Sequence, residues 1–220
     1  MGDQRLTIEV WSDIVCPFCY IGKRHFESAL RQFAHADRVD LVWRSFQLDP
    51  DTSVDPDRPQ NVYEYLADRK GISYEQSVRM HEDVTARALQ AGLAYRFDKA
   101  IVFNTFHAHR LLQLAKMHGL ADLVKEKLMS AYFLDGRNCG EAATLEAIGR
   151  EAGLNPAILE EFLQSNAFAD AVHNDIQEAQ ELGIQGVPFF LFNRRWAISG
   201  AYPPESFLQA LNQTYQALNQ

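Results

Sequence analysis

The sequence predicts an α/β domain that is interrupted by an all-helical insertion. Three observations support this class: strand patterns near both ends of the 220-residue chain, a helical pattern between the first two strands, and consecutive helical patterns in the middle. With 47% hydrophobic residues, a chain of this length can bury a substantial core without disulfides. We expect residues 1–58 and 172–220 to form the α/β domain and residues 59–171 to form the insertion.

The opening segment has the pattern of a strand, a helix and a second strand. Apolar and polar side chains alternate over Leu6–Trp11, which is typical of a strand, and a second strand is expected at Val39–Phe46. Between them, apolar residues recur at helical spacing from Phe18 to Phe33. Strands joined through a helix run parallel, so a parallel pair is expected here.

The middle of the chain has helical patterns only. It follows a loop rich in proline and aspartate, Asp49–Gln60, and most of its helices are followed by a glycine that can end a helix. The expected helices are Val62–Arg69, Tyr74–Gln90, Asn104–His118, Ala121–Leu134, Glu141–Glu151, Pro156–Gln164 and Phe168–Leu182.

Strand character returns near the C-terminus. Val187–Phe192 and Trp196–Ser199 flank a short turn, which predicts a hairpin, and a last helix is expected from Pro203 to about Leu218. The turn contains Arg194 and Arg195, a pair that fits a solvated turn better than a phosphate site.

Charge and cysteine content limit the partners and the compartment. Lys and Arg total 21 against 29 Asp and Glu, and the net charge of -8 disfavours nucleic acid, which requires a basic surface. The first residues lack the segments of a secretory signal, and no run approaches the ~20 apolar residues of a membrane span. Three cysteines are too few for a disulfide scaffold. We therefore expect a cytoplasmic protein with no membrane partner.

Cys16 and Cys19 lie where the first strand gives way to the first helix. Pro17 follows Cys16, and proline is favoured at the first helical position, so Cys16 is expected to cap the helix. The amide groups and positive dipole end at that position stabilise a thiolate, which predicts a lowered pKa for Cys16. Cys19, one turn further on, can then resolve any mixed disulfide that Cys16 forms.

Zinc binding and core filling are two other interpretations of this cysteine pair. A structural zinc site needs four ligands, and the chain has one such pair with no His-x₃₋₅-His near it. Core filling fits a single pair, but the junction of a strand and a helix is where redox chemistry places its thiols. Redox chemistry is therefore preferred, and no metal ligand is expected.

Four segments carry a family resemblance. "SDIVCPFCYIGK" and "GIQGVPFFLF" resemble the thioredoxin superfamily, specifically its DsbA-like group with a helical insertion. "FNTFHAHRLLQLA" and "ISGAYPPESF" resemble the FrnE-like branch, whose members are often labelled 2-hydroxychromene-2-carboxylate isomerase-like. The resemblance covers essentially the whole chain and implies a thioredoxin-like fold interrupted by an all-helical insertion.

The resemblance also implies roles for individual residues. Cys16 would be the attacking thiol and Cys19 the resolving one. Pro188 would be the cis-proline that faces the dithiol, although the residues alone favour an edge-strand proline. Val187, just before it, would have backbone groups available to pair with an extended substrate.

The residues between the two cysteines differ from those of DsbA. DsbA has a histidine that can stabilise the thiolate where this chain has Phe18, which offers no such interaction. A dithiol less oxidising than that of DsbA is therefore expected. Pro17 and Phe18 are expected to belong to an apolar substrate-binding surface around Cys16.

The helical middle contains further candidates. Asn104 and His109, with the adjacent Arg110, could orient a substrate or glutathione, and a polar helix face capped by Asn104 is an equally good interpretation. Cys139 has no partner in the sequence and is expected to be a bystander, although its position beside a predicted helix start suggests an oxidisable thiol.

The preferred function is a cytoplasmic thiol–disulfide oxidoreductase that acts on a disulfide-containing protein or a small thiol. It would have no tightly bound cofactor, with glutathione as a candidate co-substrate. The alternative is a glutathione-dependent isomerase or transferase of the 2-hydroxychromene-2-carboxylate isomerase or kappa-class type, but the relatives with that chemistry carry serine at the first motif position. A third interpretation is a binding or chaperone module. The sequence leaves the direction of electron flow open and is compatible with a homodimer.

Overall fold

The computed structural model describes residues 5–52 and 60–218, which divide into two compact units. Unit 1 comprises Met1–Phe46 and Asp175–Gln220, and unit 2 comprises Gln47–Asn174. The first expected domain boundary, between residues 58 and 59, lies outside the described residues, as does most of the loop rich in proline and aspartate. The second boundary falls after residue 174, where residue 171 was expected.

The secondary structure follows the predicted order of elements. In the described residues, the elements are β1 (Leu6–Ser12), α1 (Pro17–Gln32), β2 (Val39–Ser45), α2 (Val62–Lys70), α3 (Tyr74–Gln90), α4 (Phe106–Met117), α5 (Ala121–Phe133), α6 (Ala142–Glu151), α7 (Pro156–Leu163), α8 (Ala169–Glu181), β3 (Phe189–Phe192), β4 (Trp196–Ser199) and α9 (Pro204–Leu218). Helix α8 contains the boundary between the units. The helices of the middle segment begin and end within about two residues of the predicted positions, which is the usual uncertainty of helix ends.

The strands of unit 1 that the structure describes form one sheet in the order β2-β1-β3-β4. β1 and β2 are parallel, as the sequence predicts. The hairpin of β3 and β4 joins the other side of β1, and β3 runs antiparallel to β1 with Phe189 opposite Trp11. This pairing brings the residues just before β3 to the end of β1 from which the Cys16 turn leaves.

Both faces of the sheet in unit 1 are covered by apolar side chains. On one face, Phe26 of α1, Phe190 of β3 and Phe207 of α9 form an aromatic cluster whose ring centroids are 4.6 to 5.9 Å apart. On the other face, Trp11 and Leu191 belong to a second apolar cluster. Phe190 and Leu191 contribute to opposite faces because successive side chains of a strand alternate.

A buried ion network joins the second half of α8 to the sheet. The side chains of Glu9 and Asp175 are each 5% exposed, and Arg44 pairs with both. The Asp175 carboxylate accepts a hydrogen bond from the Ser45 N–H at 2.9 Å, and its backbone carbonyl accepts one from the Trp11 indole at 3.0 Å. These contacts hold β1, β2 and α8 together beside the Cys16 turn.

The hairpin turn is exposed to solvent, as the sequence predicts, and ion pairs also hold one of its arginines. Arg194 is 52% exposed, yet its guanidinium pairs with Glu9 and Glu178, each at 2.7 Å. The turn is therefore tied to carboxylates of its own unit, because a long arginine side chain can reach them while part of it stays in water.

The regular secondary structure of unit 2, in its described residues, consists of helices joined by loops, apart from one isolated bridge between Asn61 and Ile101. Local signals define its helix ends: Ser73 and Gln76 form a capping box at the start of α3, and Gly71 ends α2 with a φ of 63°. Over residues 5–52 and 60–218, no helix is both long enough and apolar enough to cross a membrane.

Candidate active site

Cys16 is the residue that caps α1, as the sequence predicts. Its backbone is extended, with φ -83° and ψ 111°, and Pro17 occupies the start of the helix. The Cys19 N–H donates to the Cys16 carbonyl at 3.0 Å and closes the first turn. The turn places both sulfurs at the N-terminal end of α1, where backbone amide groups are available to a thiolate.

The two cysteines of the dithiol are almost completely buried. Cys16 is 3% exposed and Cys19 is 1% exposed, and neither forms a disulfide. The two side chains share a hydrogen bond. Phe18 between them is 36% exposed and Pro17 is half-buried, so the accessible surface beside the dithiol is apolar.

The predicted lowering of the Cys16 pKa is wrong for this reduced, buried dithiol. The hydrogen bond with the Cys19 side chain, followed by burial, raises the pKa of the Cys16 thiol well above its usual value, and the charges of Cys19 and Asp13 raise it further. The Cys19 backbone N–H opposes them and lowers the pKa. The helix start thus contributes in the expected direction, but the neighbouring sulfur outweighs it because two adjacent thiols resist a second negative charge.

Asp13 is a member of the site that sequence reasoning missed. Its side chain is buried at 1% exposure, and its carboxylate accepts a hydrogen bond from the Ile14 N–H at 2.7 Å. Its backbone carbonyl accepts a longer one, at 3.4 Å, from the Cys16 N–H. The available signal was an acidic residue three positions before the first cysteine, since a nearby carboxylate raises the pKa of a thiol.

Val187 and Pro188 lie against the dithiol. The Cys16 thiol donates to the Val187 carbonyl oxygen at 3.5 Å, although 171 positions separate the two residues in sequence. The Val187–Pro188 peptide bond is cis, Pro188 is buried and Val187 is half-buried. The antiparallel pairing of β3 with β1 creates this contact, because it places the residue after Pro188 opposite the end of β1.

Asn104 and His109 lie in unit 2. Thr105 occupies the cap position of α4, and the Asn104 side-chain oxygen accepts hydrogen bonds from the Phe106 N–H and the Gln47 amide, each at 3.0 Å. His109 is fully buried in α4. Asn104 thus has a structural role at the start of α4, and a role for either residue in substrate binding stays a prediction.

Cys139 is a core residue of unit 2. It is 0% exposed, and its sulfur lies 3.6 Å from the Leu128 carbonyl oxygen. Burial raises the pKa of the Cys139 thiol to about 12. Burial and the raised pKa support the bystander role and argue against an oxidisable thiol, because the thiolate is the reactive form.

The arrangement in unit 1 can carry out disulfide exchange. Two thiols in contact can close a disulfide with loss of two electrons and two protons. The Val187 carbonyl beside them is a backbone group that an extended peptide can pair with. Among the described residues, no group of three or more His, Cys, Asp or Glu side chains could hold a metal ion.

Comparison with known proteins agrees with this geometry. The profile of the DSBA-like thioredoxin domain family matches residues 7–212. The crystal structure of a probable DsbA oxidoreductase from Streptomyces coelicolor has 39% sequence identity and a TM-score of 0.89, and the match covers 96% of this chain and 91% of that chain.

Two other solved structures share the fold at lower identity. The cytosolic disulfide reductase DsbM from Pseudomonas aeruginosa, also solved with GSH, is 17% identical with a TM-score of 0.66, over 96% of this chain and 99% of that chain. A 2-hydroxychromene-2-carboxylate isomerase is 16% identical with a TM-score of 0.66, over 96% of this chain and 95% of that chain. These likenesses, together with the profile match, confirm the thioredoxin-like fold. The chain belongs to the DSBA-like thioredoxin domain family and is a disulfide oxidoreductase.

Proposed function

We propose that this chain is a cytoplasmic thiol–disulfide oxidoreductase of the FrnE-like branch, in which Cys16 attacks and Cys19 resolves. The observation that carries the proposal is the contact of the Cys16 sulfur with both the Cys19 side chain and the Val187 carbonyl. Cys16 is at the very start of the helix, and the exposed side chain of Phe18 lies beside the dithiol. A substrate sulfur that approaches along this apolar surface meets Cys16 first.

The proposed reaction has two exchange steps. The Cys16 thiolate attacks one sulfur of a substrate disulfide, so that a Cys16–substrate disulfide forms, the substrate disulfide breaks, and the leaving sulfur takes an electron pair and then a proton. Cys19, after losing its proton, attacks the Cys16 sulfur, closes the Cys16–Cys19 disulfide and releases the second substrate sulfur. Two electrons pass from the dithiol to the substrate, and the same steps in reverse oxidise a substrate dithiol.

The proposed dithiol is less oxidising than that of DsbA. A strong oxidant has a stabilised reduced form, usually a stabilised thiolate. Here the neighbouring Cys19 and burial raise the Cys16 pKa, and Phe18 offers no charge or hydrogen bond to a thiolate. The reduced state gains less stabilisation, which favours the disulfide form and lowers the reduction potential.

Glutathione is the proposed small-thiol co-substrate. One glutathione thiolate would open the Cys16–Cys19 disulfide, and a second would release oxidised glutathione and the reduced dithiol, so that two electrons enter the protein. The Pseudomonas protein, which is named as cytosolic and was solved with GSH, supports this assignment and the proposed compartment. The chain's three cysteines also suit a reducing compartment.

The variant Cys19→Ser tests the proposed roles. A resolving Cys19 predicts that the variant loses turnover with a disulfide-bonded peptide and accumulates a covalent Cys16–peptide adduct, which mass spectrometry of the unreduced protein detects. Cys139→Ser, which removes the buried thiol of unit 2, is the control and should turn over normally. A glutathione-dependent isomerase would instead keep its activity in Cys19→Ser and form no adduct, and that result would reject the proposal.

A further inference from the structure

Gly22 lies in the interior of α1, six residues after Cys16, where glycine is less favourable than alanine. The residue is buried. A Cβ at this position would lie 3.0 Å from Cγ of Pro188, 3.5 Å from Cε2 of Phe190 and 3.6 Å from Cα of Ala201. Helix α1 therefore lies close to the residues just before β3 and just after β4, and it does so at the one position of the helix that has no side chain.

The same helix also carries the dithiol at its N-terminal end. Pro188 contacts Gly22, and the carbonyl of the preceding Val187 accepts the hydrogen bond of the Cys16 thiol at 3.5 Å. The Pro188 carbonyl in turn accepts a hydrogen bond from the Gly200 N–H at 2.8 Å, which limits how far this segment can move. The separation of α1 from Pro188 thus sets the separation of Cys16 from Val187.

We propose that Gly22 is a positioning residue for disulfide exchange: the absence of a Cβ at position 22 lets Pro188 lie against α1 and places the Val187 carbonyl at the Cys16 sulfur. This inference rests on the proposed role of Cys16 as the attacking thiol. It adds to the reaction a residue that contacts neither the substrate nor the sulfur.

Two opposite effects follow from adding a methyl group at position 22. The Pro188 ring must move by a few tenths of an ångström, which lengthens a sulfur–carbonyl contact that is already long. A carbonyl accepts a hydrogen bond only from the protonated thiol, so its withdrawal favours the thiolate and speeds reaction of Cys16 with a small alkylating agent. Turnover of a peptide disulfide slows, because the Val187 backbone that would pair with the peptide is displaced.

The experiment compares Gly22→Ala and Gly22→Val with Gly149→Ala in the full chain. Gly149 is a matched control because it is also a helical glycine, and its Cβ would lie 2.5 Å from Cδ2 of Leu159 in unit 2, whereas the dithiol belongs to unit 1. Iodoacetamide labelling of the reduced protein is followed across pH, and mass spectrometry assigns the label to Cys16, Cys19 or Cys139. Turnover is measured as kcat/KM for a disulfide-bonded peptide.

In Gly22→Ala, iodoacetamide should label Cys16 at lower pH than in the native chain. The kcat/KM of this variant should fall about tenfold, and that of Gly22→Val should fall further, since small displacements of a reacting site have effects of this size. Gly149→Ala should be less stable than the native chain but unchanged in both measurements. Labelling of Cys139 would reveal general opening of the fold, which differs from a local change at Cys16.

A second test uses Pro188→Ala, which removes the Cγ that the added methyl group would meet. If Gly22 acts through Pro188, adding Gly22→Ala to Pro188→Ala should change neither measurement further. The inference is wrong if the labelling of Cys16 in Gly22→Ala has the same pH dependence as in the native chain. It is also wrong if Gly22→Ala has its full effects in the Pro188→Ala background. Should the native chain itself fail to turn over the peptide, the proposed function would fail, while the labelling profile would still decide the role of Gly22.

Discussion

The two units bury cysteines among different neighbours, and the neighbours determine what each thiol can do. In unit 1, Cys16 shares a hydrogen bond with Cys19 at the start of a helix. In unit 2, Cys139 is at least as deeply buried, with the backbone carbonyls of Leu128 and Arg137 near its sulfur. The pKa is raised at both sites, but only Cys16 has a second sulfur within reach. Burial alone makes a thiol inert, whereas burial beside another thiol makes a redox pair.

Two arginines show the same contrast. For Arg44 in unit 1, burial lowers the pKa, but hydrogen bonds and charges of Glu9 and Asp175 together raise it. For Arg110 in unit 2, burial lowers the pKa. Its guanidinium donates to the Phe162 carbonyl of α7 at 3.3 Å and to the Ala167 carbonyl, in the loop after α7, at 2.8 Å. The guanidinium of Arg44 is thus paired with carboxylates, whereas neutral carbonyl groups accept the hydrogen bonds of Arg110.

The largest expected difference concerns the thiols. Cys16→Ser should lower disulfide turnover by roughly 10³-fold or more, because losing a nucleophile removes the pathway itself. Cys139→Ser should turn over at the native rate, and Cys139 should resist iodoacetamide near neutral pH until the protein is unfolded, since its pKa is about 12. Rapid labelling of Cys139 in the native protein would contradict the conclusion that its burial makes it unreactive.

The second difference concerns the two arginines. Arg44→Met removes the cation that Glu9 and Asp175 share, although Arg194 still pairs with Glu9, and should lower the free energy of unfolding by about 3 kcal/mol. Arg110→Met leaves neutral carbonyls without a donor and should lower it by about 1–3 kcal/mol. Urea denaturation measures both, with Arg44→Lys as the control that keeps the charge. A larger loss of unfolding free energy in Arg110→Met than in Arg44→Met would contradict the distinction between these two arginines.

The smallest effect concerns a half-buried histidine of unit 2 that packs among aromatic rings. His81 packs against Tyr63 and Phe97, with ring centroids 4.9 and 4.6 Å away, and burial lowers the pKa of His81 below 6.5. As the pH falls through 6.5, the unfolded chain takes up a proton that the folded chain resists, so stability present above this pH is progressively lost.

The variant His81→Gln should therefore lose less stability than the native chain between neutral pH and about pH 5.5. Thermal denaturation at several pH values measures this loss. His173→Gln, which changes an exposed histidine of the same unit, is the control and should follow the native chain. Equal slopes for His81→Gln and the native chain would show that His81 does not contribute to the acid sensitivity of unit 2.

Local patterns were sufficient for most of the fold and for the position of the dithiol. The strand at Leu6–Ser12, the helix that begins at Pro17 and the capping position of Cys16 depend on neighbours within a few residues, and all three were predicted. The pairing of β3 beside β1 could not be derived from the residues, because no local pattern records which strand a hairpin will join. A packing role for Gly22 could have been predicted from the sequence, since a glycine inside a helical pattern usually has a packing reason.

The sequence by itself determined the order of helices and strands, the helical middle and the placement of two thiols at the start of α1, because side-chain periodicity and helix caps act over one or two turns. The tertiary structure alone decided that Cys16 is nearly sealed, that its pKa is raised, and that Val187 and Pro188 lie against it. These properties depend on burial and on groups that are distant in sequence, and only folding brings such groups within the few ångströms at which they act.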